Sequence, residues 1–136
     1  MDNYIEIPFP IENDIVYQIG IYYKKTFVPF YVGQSSRHIG RLGDYISAKF
    51  SASTDFKIGE AVKYLREKKH DVRVLYKISK NKMIDEKKLI QDIQQKYQLL
   101  NGVKGYDYKT ANEIEEKVKI HSYIDQFLSD VKTIYG

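Results

Sequence analysis

Two short runs of β-forming residues, 15 to 23 and 29 to 33, stand five residues apart, and this pairing constrains the fold more than any other stretch of the chain. Both are rich in Ile, Val, Tyr and Phe, side chains that suit a pleated, half-buried surface, and the Lys24-Lys25-Thr26 connection makes them a hairpin candidate. Pro29, which has no N–H for a ladder, limits where the second strand begins. Gly33 is expected to end it, at a point where a side chain would block a close approach to a ligand. The hairpin brings two phenols side by side, Tyr17 and Tyr31, with Arg41 ten residues beyond the second.

The rest of the chain supplies helices and one more strand. Residues 39 to 50 fit a short helix. Residues 54 to 69 fit a longer one whose apolar face is Phe56, Ala61, Val62 and Leu65. Val72, Val74, Tyr76 and Ile78 alternate as a third strand. A helix over about 83 to 97 follows, with Ile84, Leu89, Ile90 and Ile93 at helical spacing. Thr110 with Glu113 forms a capping box opening a last amphipathic helix through Ile114, Val118, Ile124, Phe127, Leu128 and Val131. The order β-β-α-α-β-α-α predicts an α+β fold, a three-stranded antiparallel sheet flanked by helices. At 136 residues, without repeat or Gly/Ser-rich linker, one domain is expected. It divides into an acidic lead-in (1–14), a core (15–107) and a C-terminal amphipathic helix packed on the same domain (108–136).

Composition removes several classes of function. There is no cysteine and there are three histidines, so a thiolate zinc site is excluded and any catalytic metal must lean on carboxylates. No run approaches the roughly 18 apolar residues of a membrane span, and residues 1 to 14 lack the basic start and apolar stretch of a signal peptide, so a cytoplasmic protein is expected. The first fourteen residues hold four carboxylates and no Lys or Arg, so the net charge of +4 becomes +8 over the remainder. A basic body favours polyanionic partners, because each phosphate paired with Lys or Arg releases counterions.

Paired phenols beside a guanidinium suit the holding of a phosphate and the movement of a proton. At this point the residues resemble the GIY-YIG nuclease family. The resemblance is carried by Val16-Tyr17-Gln18-Ile19, Tyr31-Val32-Gly33-Gln34-Ser35, Arg41-Leu42, Glu86 opening Glu-Lys-Lys-Leu-Ile, and Leu99-Leu100-Asn101. These pieces span residues 15 to 107, and their order and strand-helix context are more specific than any one of them. Gly20-Ile21-Tyr22 spells the first half literally, yet eight residues separate Tyr22 from Tyr31 and thirteen separate Tyr17 from it, and the family's usual spacing falls between. Tyr-Gln-Ile after an aliphatic residue favours Tyr17. The two tyrosines differ by an odd number of positions, so on a regular strand only one faces the site.

The resemblance implies a small Mg²⁺-dependent DNA endonuclease, with Mn²⁺ substituting, that hydrolyses phosphodiesters by a single-metal mechanism. It makes Glu86 the metal ligand, Tyr17 the group that deprotonates or orients water, Tyr31 its neighbour in the site, Arg41 the phosphate fork and Asn101 a hydrogen-bonding brace. Where the family often has histidine this chain has Tyr45, as some branches do; a phenol can donate a hydrogen bond there but is no imidazole base near pH 7, which leaves the general base open. His38 lies nearby. Each of these residues also has an ordinary explanation: a first-turn helix glutamate, a surface arginine, half-buried strand aromatics, a turn asparagine before Gly102.

Lys57, Lys63, Arg66, Lys68 and Lys69 crowd the helix of residues 54 to 69 and its end and are the expected contacts to the DNA backbone, with no base-reading pattern beside them. Selectivity is then expected to be limited, or to come from a homodimer or a specificity partner. The rival class is a catalytically silent, nuclease-like module that grips DNA or a protein partner without cutting.

Overall fold

The structure, a computed structural model, describes residues 5–6, 14–35, 53–103 and 113–136. The predicted helix over 39 to 50, His38, Arg41, Tyr45 and Thr110 lie outside the described residues. The elements are β1 (Ile5–Glu6), β2 (Ile15–Tyr23), β3 (Thr26–Ser35), α1 (Ser53–Glu67), β4 (Asp71–Ile78), α2 (Lys82–Gln94), a single 3₁₀ turn (Leu100–Gly102) and α3 (Glu113–Tyr135). The fold is α+β. Three long strands pair antiparallel as expected, and the lead-in adds two residues of β1 at the far edge, giving the order β1-β4-β2-β3.

β2 lies between β3 and β4, and residues 15 to 21 are all buried. That is why its sequence is mostly apolar on both faces, with Gln18 the buried polar exception, and not an alternation. Val72, Val74 and Tyr76 of β4 stand beside Ile21, Ile19 and Tyr17 in register. Ile58, Ala61, Val62 and Leu65 of α1 and Ile120, Ile124, Phe127 and Val131 of α3 complete the core. Gln18 lines one cleft with Leu89, Asp92 and Ile93, so α2 lies over the face of β2 to which even-numbered residues point. Among the described residues, no helix is long and apolar enough to cross a membrane.

Three expectations are revised. β3 does not begin at Pro29 but at Thr26, after a two-residue turn in which Lys24 and Lys25 both have positive φ (47° and 68°), the signature of a type I′ hairpin. Pro29 is tolerated because β3 is an edge strand and its register shifts between Ile19 and Gly20, where a Cβ on Gly20 would lie 2.6 Å from the Pro29 Cα. Nor does Gly33 end the strand, which runs on to Ser35. Lastly, Ile84 (68% exposed), Ile114 and Val118 stand in solvent although their spacing is helical, because α2 and α3 meet the core only through their later turns.

The outer edge of β3 is partly covered by side chains. The Tyr97 hydroxyl donates to the Pro29 carbonyl at 2.6 Å, and Asn101 accepts from the Val32 N–H at 3.0 Å and donates to the Val32 carbonyl at 2.7 Å. The Asn101 amide thus pairs with Val32 as one residue of a further strand would, which covers part of the exposed ladder that makes edges prone to aggregation. α1 and α3 are joined by a polar seam: His121 Nε2 lies 2.7 Å from the buried Glu60, and its ring stacks on Tyr64, whose hydroxyl donates to Asp125.

Candidate functional site

The hairpin sets Tyr17 opposite Gly33 in register, with the Tyr17 and Tyr31 rings 6.3 Å apart and tilted by 34°. A Cβ on Gly33 would collide with the Tyr17 phenol, coming within 2.8 Å of Cε1 and closer still to Cζ and the hydroxyl. The bare glycine therefore makes room for a protein side chain, not for a ligand as its position in the sequence suggested. Tyr17 is 4% exposed, and Tyr31, toward the outer edge, is more open. Tyr22 lies elsewhere, edge-on to Phe27 and beneath the Arg73 guanidinium at 5.6 Å. Of the two candidate tyrosines, Tyr17 is the one beside Tyr31.

Glu86, in the first turns of α2, is hydrogen-bonded to the Gln34 side chain, and burial pushes its carboxyl above the ordinary glutamate range despite that bond. Strand alternation points Gln34 to the opposite side of β3 from Tyr31 and Gly33. The acid and the phenols thus flank the same four residues of the β3 edge, 31 to 34, from its two faces. Asn101 stands on the edge between them, holding the backbone of Val32. These groups come from three separate parts of the chain.

Among the described residues, no three His, Asp or Glu side chains gather as a metal-binding group. The donor chemistry at Glu86 nevertheless fits Mg²⁺, which takes hard oxygen ligands, keeps several waters and is held by one or two carboxylates together with substrate phosphates. A carboxyl held partly out of water is also one whose ionised form a nearby cation would restore.

The basic residues of α1 do not act as a set. Lys57 is 7% exposed; its ammonium donates to the Val103 carbonyl at 2.8 Å, and burial, followed by the charge of Lys119, lowers its pKa. It is a buried lysine that braces α1 against the segment after the 3₁₀ turn. Lys63, Arg66, Lys68 and Lys69 are exposed, and Lys68 lies 4.8 Å over the Tyr64 ring and 3.8 Å from Asp125.

Sequence reasoning gave no role to Gln34, although it lies inside the motif segment; its signal was a polar side chain directly after a bare glycine in a strand. It also missed Tyr97, whose hydroxyl and ring link the β3 edge to Phe127. No family model, no curated protein and no solved structure matches the chain in the three comparisons made.

Proposed function

We propose that the chain is a divalent-metal-dependent DNA endonuclease whose fold and single-metal mechanism are like those of the GIY-YIG nucleases. The observation that carries this reading is the pairing of Tyr17 and Tyr31 over the bare Gly33, with Asn101 and Glu86 directed to the same stretch of β3. Hydrolysis of a phosphodiester needs a deprotonated water, neutralisation of charge on the phosphoryl oxygens, and help for the departing alkoxide. In this reading Tyr17 and Tyr31 orient the attacking water at the phosphate, and Asn101 keeps the Tyr31–Gly33 backbone fixed while they do so. Glu86 holds Mg²⁺, or Mn²⁺ in its place, which when bound supplies Lewis-acid stabilisation of the phosphoryl and leaving oxygens. Arg41 and Tyr45 are assigned by resemblance alone, as phosphate fork and hydrogen-bond donor. Lys63, Arg66, Lys68 and Lys69 are the backbone contacts, and a homodimer or specificity partner supplies selectivity.

One observation favours the rival reading of a module that binds DNA without cutting it: Tyr17 is nearly inaccessible, and Gln34 carries Glu86 on the opposite face of β3. Supercoiled plasmid incubated with Mg²⁺ or Mn²⁺ separates the two. The nuclease reading expects nicking or linearisation that stops with EDTA and is lost in Glu86→Ala while DNA binding is kept. Equal cutting by the wild type and Glu86→Ala would remove Glu86 from the mechanism, and salt-sensitive binding without cleavage under any divalent ion would establish the silent module.

A further inference from the structure

Among the described residues, three that are not glycine have positive φ: Lys24 at 47°, Lys25 at 68° and Lys69 at 69°. All three are lysines. The first two form the hairpin turn, where Asn-Gly is the unstrained choice. The third ends α1: the Lys69 N–H donates to the Arg66 carbonyl and the His70 N–H to the Leu65 carbonyl, a Schellman close whose left-handed residue is usually glycine. Left-handed backbone strains any residue with a Cβ, and strain held at surface turns points to a use for the side chain.

These two turns are one place in the molecule. Tyr22 of β2 pairs with Asp71, the first residue of β4, directly after the Lys69 turn. A cavity of about 360 Å³ is lined jointly by Tyr23, His70 and Lys132, the last from the final turn of α3. The cations there are interleaved with aromatic rings: Lys24 over Tyr23 at 5.6 Å, Lys68 over Tyr64 at 4.8 Å and Arg73 over Tyr22 at 5.6 Å. Carboxylates offset part of the charge, Asp71 against Arg73 and Asp125 against Lys68, but among the described residues none pairs with Lys24, Lys25, Lys69 or Lys132. His70, between the Lys69 turn and β4, has its pKa lowered chiefly by burial and secondarily by the charge of Lys68.

We infer that the proposed DNA contacts of Lys68 and Lys69 belong to a wider nucleic-acid-contacting surface at this pole of the sheet, formed by the β2–β3 turn, the α1–β4 turn and the end of α3, and set apart from the paired tyrosines. It lies about 20 Å from Tyr17, six to seven strand residues at roughly 3.3 Å each, or about six base pairs of duplex. The inference extends the DNA reading above but does not need cleavage. Cations stacked on rings suit phosphates next to sugars and bases. A membrane surface would call for an apolar face here. Among the described residues, the exposed aliphatic groups other than Ile134 lie elsewhere, with Ile78, Met83 and Ile84 at the opposite end of β4.

The test uses the full chain, a short duplex of mixed sequence and fluorescence anisotropy in EDTA, so that catalysis plays no part. Lys24→Asn, Lys25→Gly and Lys69→Gly are combined. Because each change relieves left-handed strain, the triple variant should melt at a higher temperature than the wild type, which removes unfolding as an explanation. It should bind at least about tenfold more weakly, with the slope of log K against log salt shallower by about three, close to one per lost phosphate contact. Removing three lysines elsewhere, Lys80→Gln, Lys96→Gln and Lys117→Gln, should cost far less. The inference is overturned if the wild type does not bind the duplex, if the triple variant binds with unchanged affinity and slope, or if the control triple loses as much. It is also overturned if the variant loses only its binding to phosphatidylserine vesicles, which would make the pole a membrane contact. Plasmid nicking is scored separately, so a failed nuclease reading and a failed pole leave different results.

Discussion

Replacing Asn101 tests the construction of the β3 edge and the candidate site together. Its amide makes two hydrogen bonds to the backbone of Val32, whose side chain is fully buried. Each neutral bond contributes about 0.5–1.5 kcal/mol, so Asn101→Ala should destabilise by about 2 kcal/mol, or roughly 7 °C in melting temperature for a chain of this length. Asn101→Asp is more discriminating. It keeps an acceptor for the Val32 N–H but turns an oxygen toward the Val32 carbonyl, which only a protonated carboxyl can satisfy. The folded-state pKa of that carboxyl is then raised above its unfolded value, so its stabilisation is present below the unfolded pKa and lost as pH rises through the folded one. Urea denaturation should show Asn101→Asp at least as weak as Asn101→Ala at pH 7, recovering toward the wild type near pH 4, each compared with wild type at the same pH. An Asn101→Ala loss under about 0.5 kcal/mol, or a gap between Asn101→Asp and wild type that does not change with pH, would refute the pairing.

Three further outcomes follow from the same geometry. Gly33→Ala drives a methyl into the Tyr17 phenol and should cost about 1–3 kcal/mol as overpacking, with any cleavage lost more steeply than stability; a neutral effect in thermal melts would mean that the ring is not seated there. Glu86→Gln should stabilise the protein at neutral pH. Its raised folded-state pKa means that Glu86 adds stability below the ordinary value near 4.5 and loses it as pH rises through the folded one, so the advantage of the glutamine should vanish in acid, and a variant less stable at pH 7 contradicts the burial. Tyr17→Phe should abolish plasmid cleavage and Tyr22→Phe should spare it, since only Tyr17 lies beside Tyr31; the reverse result reassigns the first motif.

The local pattern alone determined the elements. The β-forming runs, the period-two alternation of Val72, Val74 and Tyr76, and the helical spacing read over residues 54 to 69, found as a helix over Ser53–Glu67, describe how neighbours along the chain share a face, and each is borne out in kind. Parity alone kept Tyr17 and Tyr22 on opposite faces, and the structure has them so placed. Contacts between partners far apart in sequence are set by no such local pattern. Asn101 meets Val32 across 69 positions, and Lys57 reaches Val103 across 46, which turns an apparent surface cation into a buried brace. Ile84 and Ile114 follow the helical period yet stay in solvent, because a period sets which residues share a stripe and not how much of that stripe another element covers. The gathering of Lys24, Lys25 and Lys69 at one pole likewise depends on the antiparallel register that lays Tyr22 beside Asp71. Side-chain direction is a property of the local backbone, whereas proximity between distant segments arises only when the whole sheet and its helices close on one core.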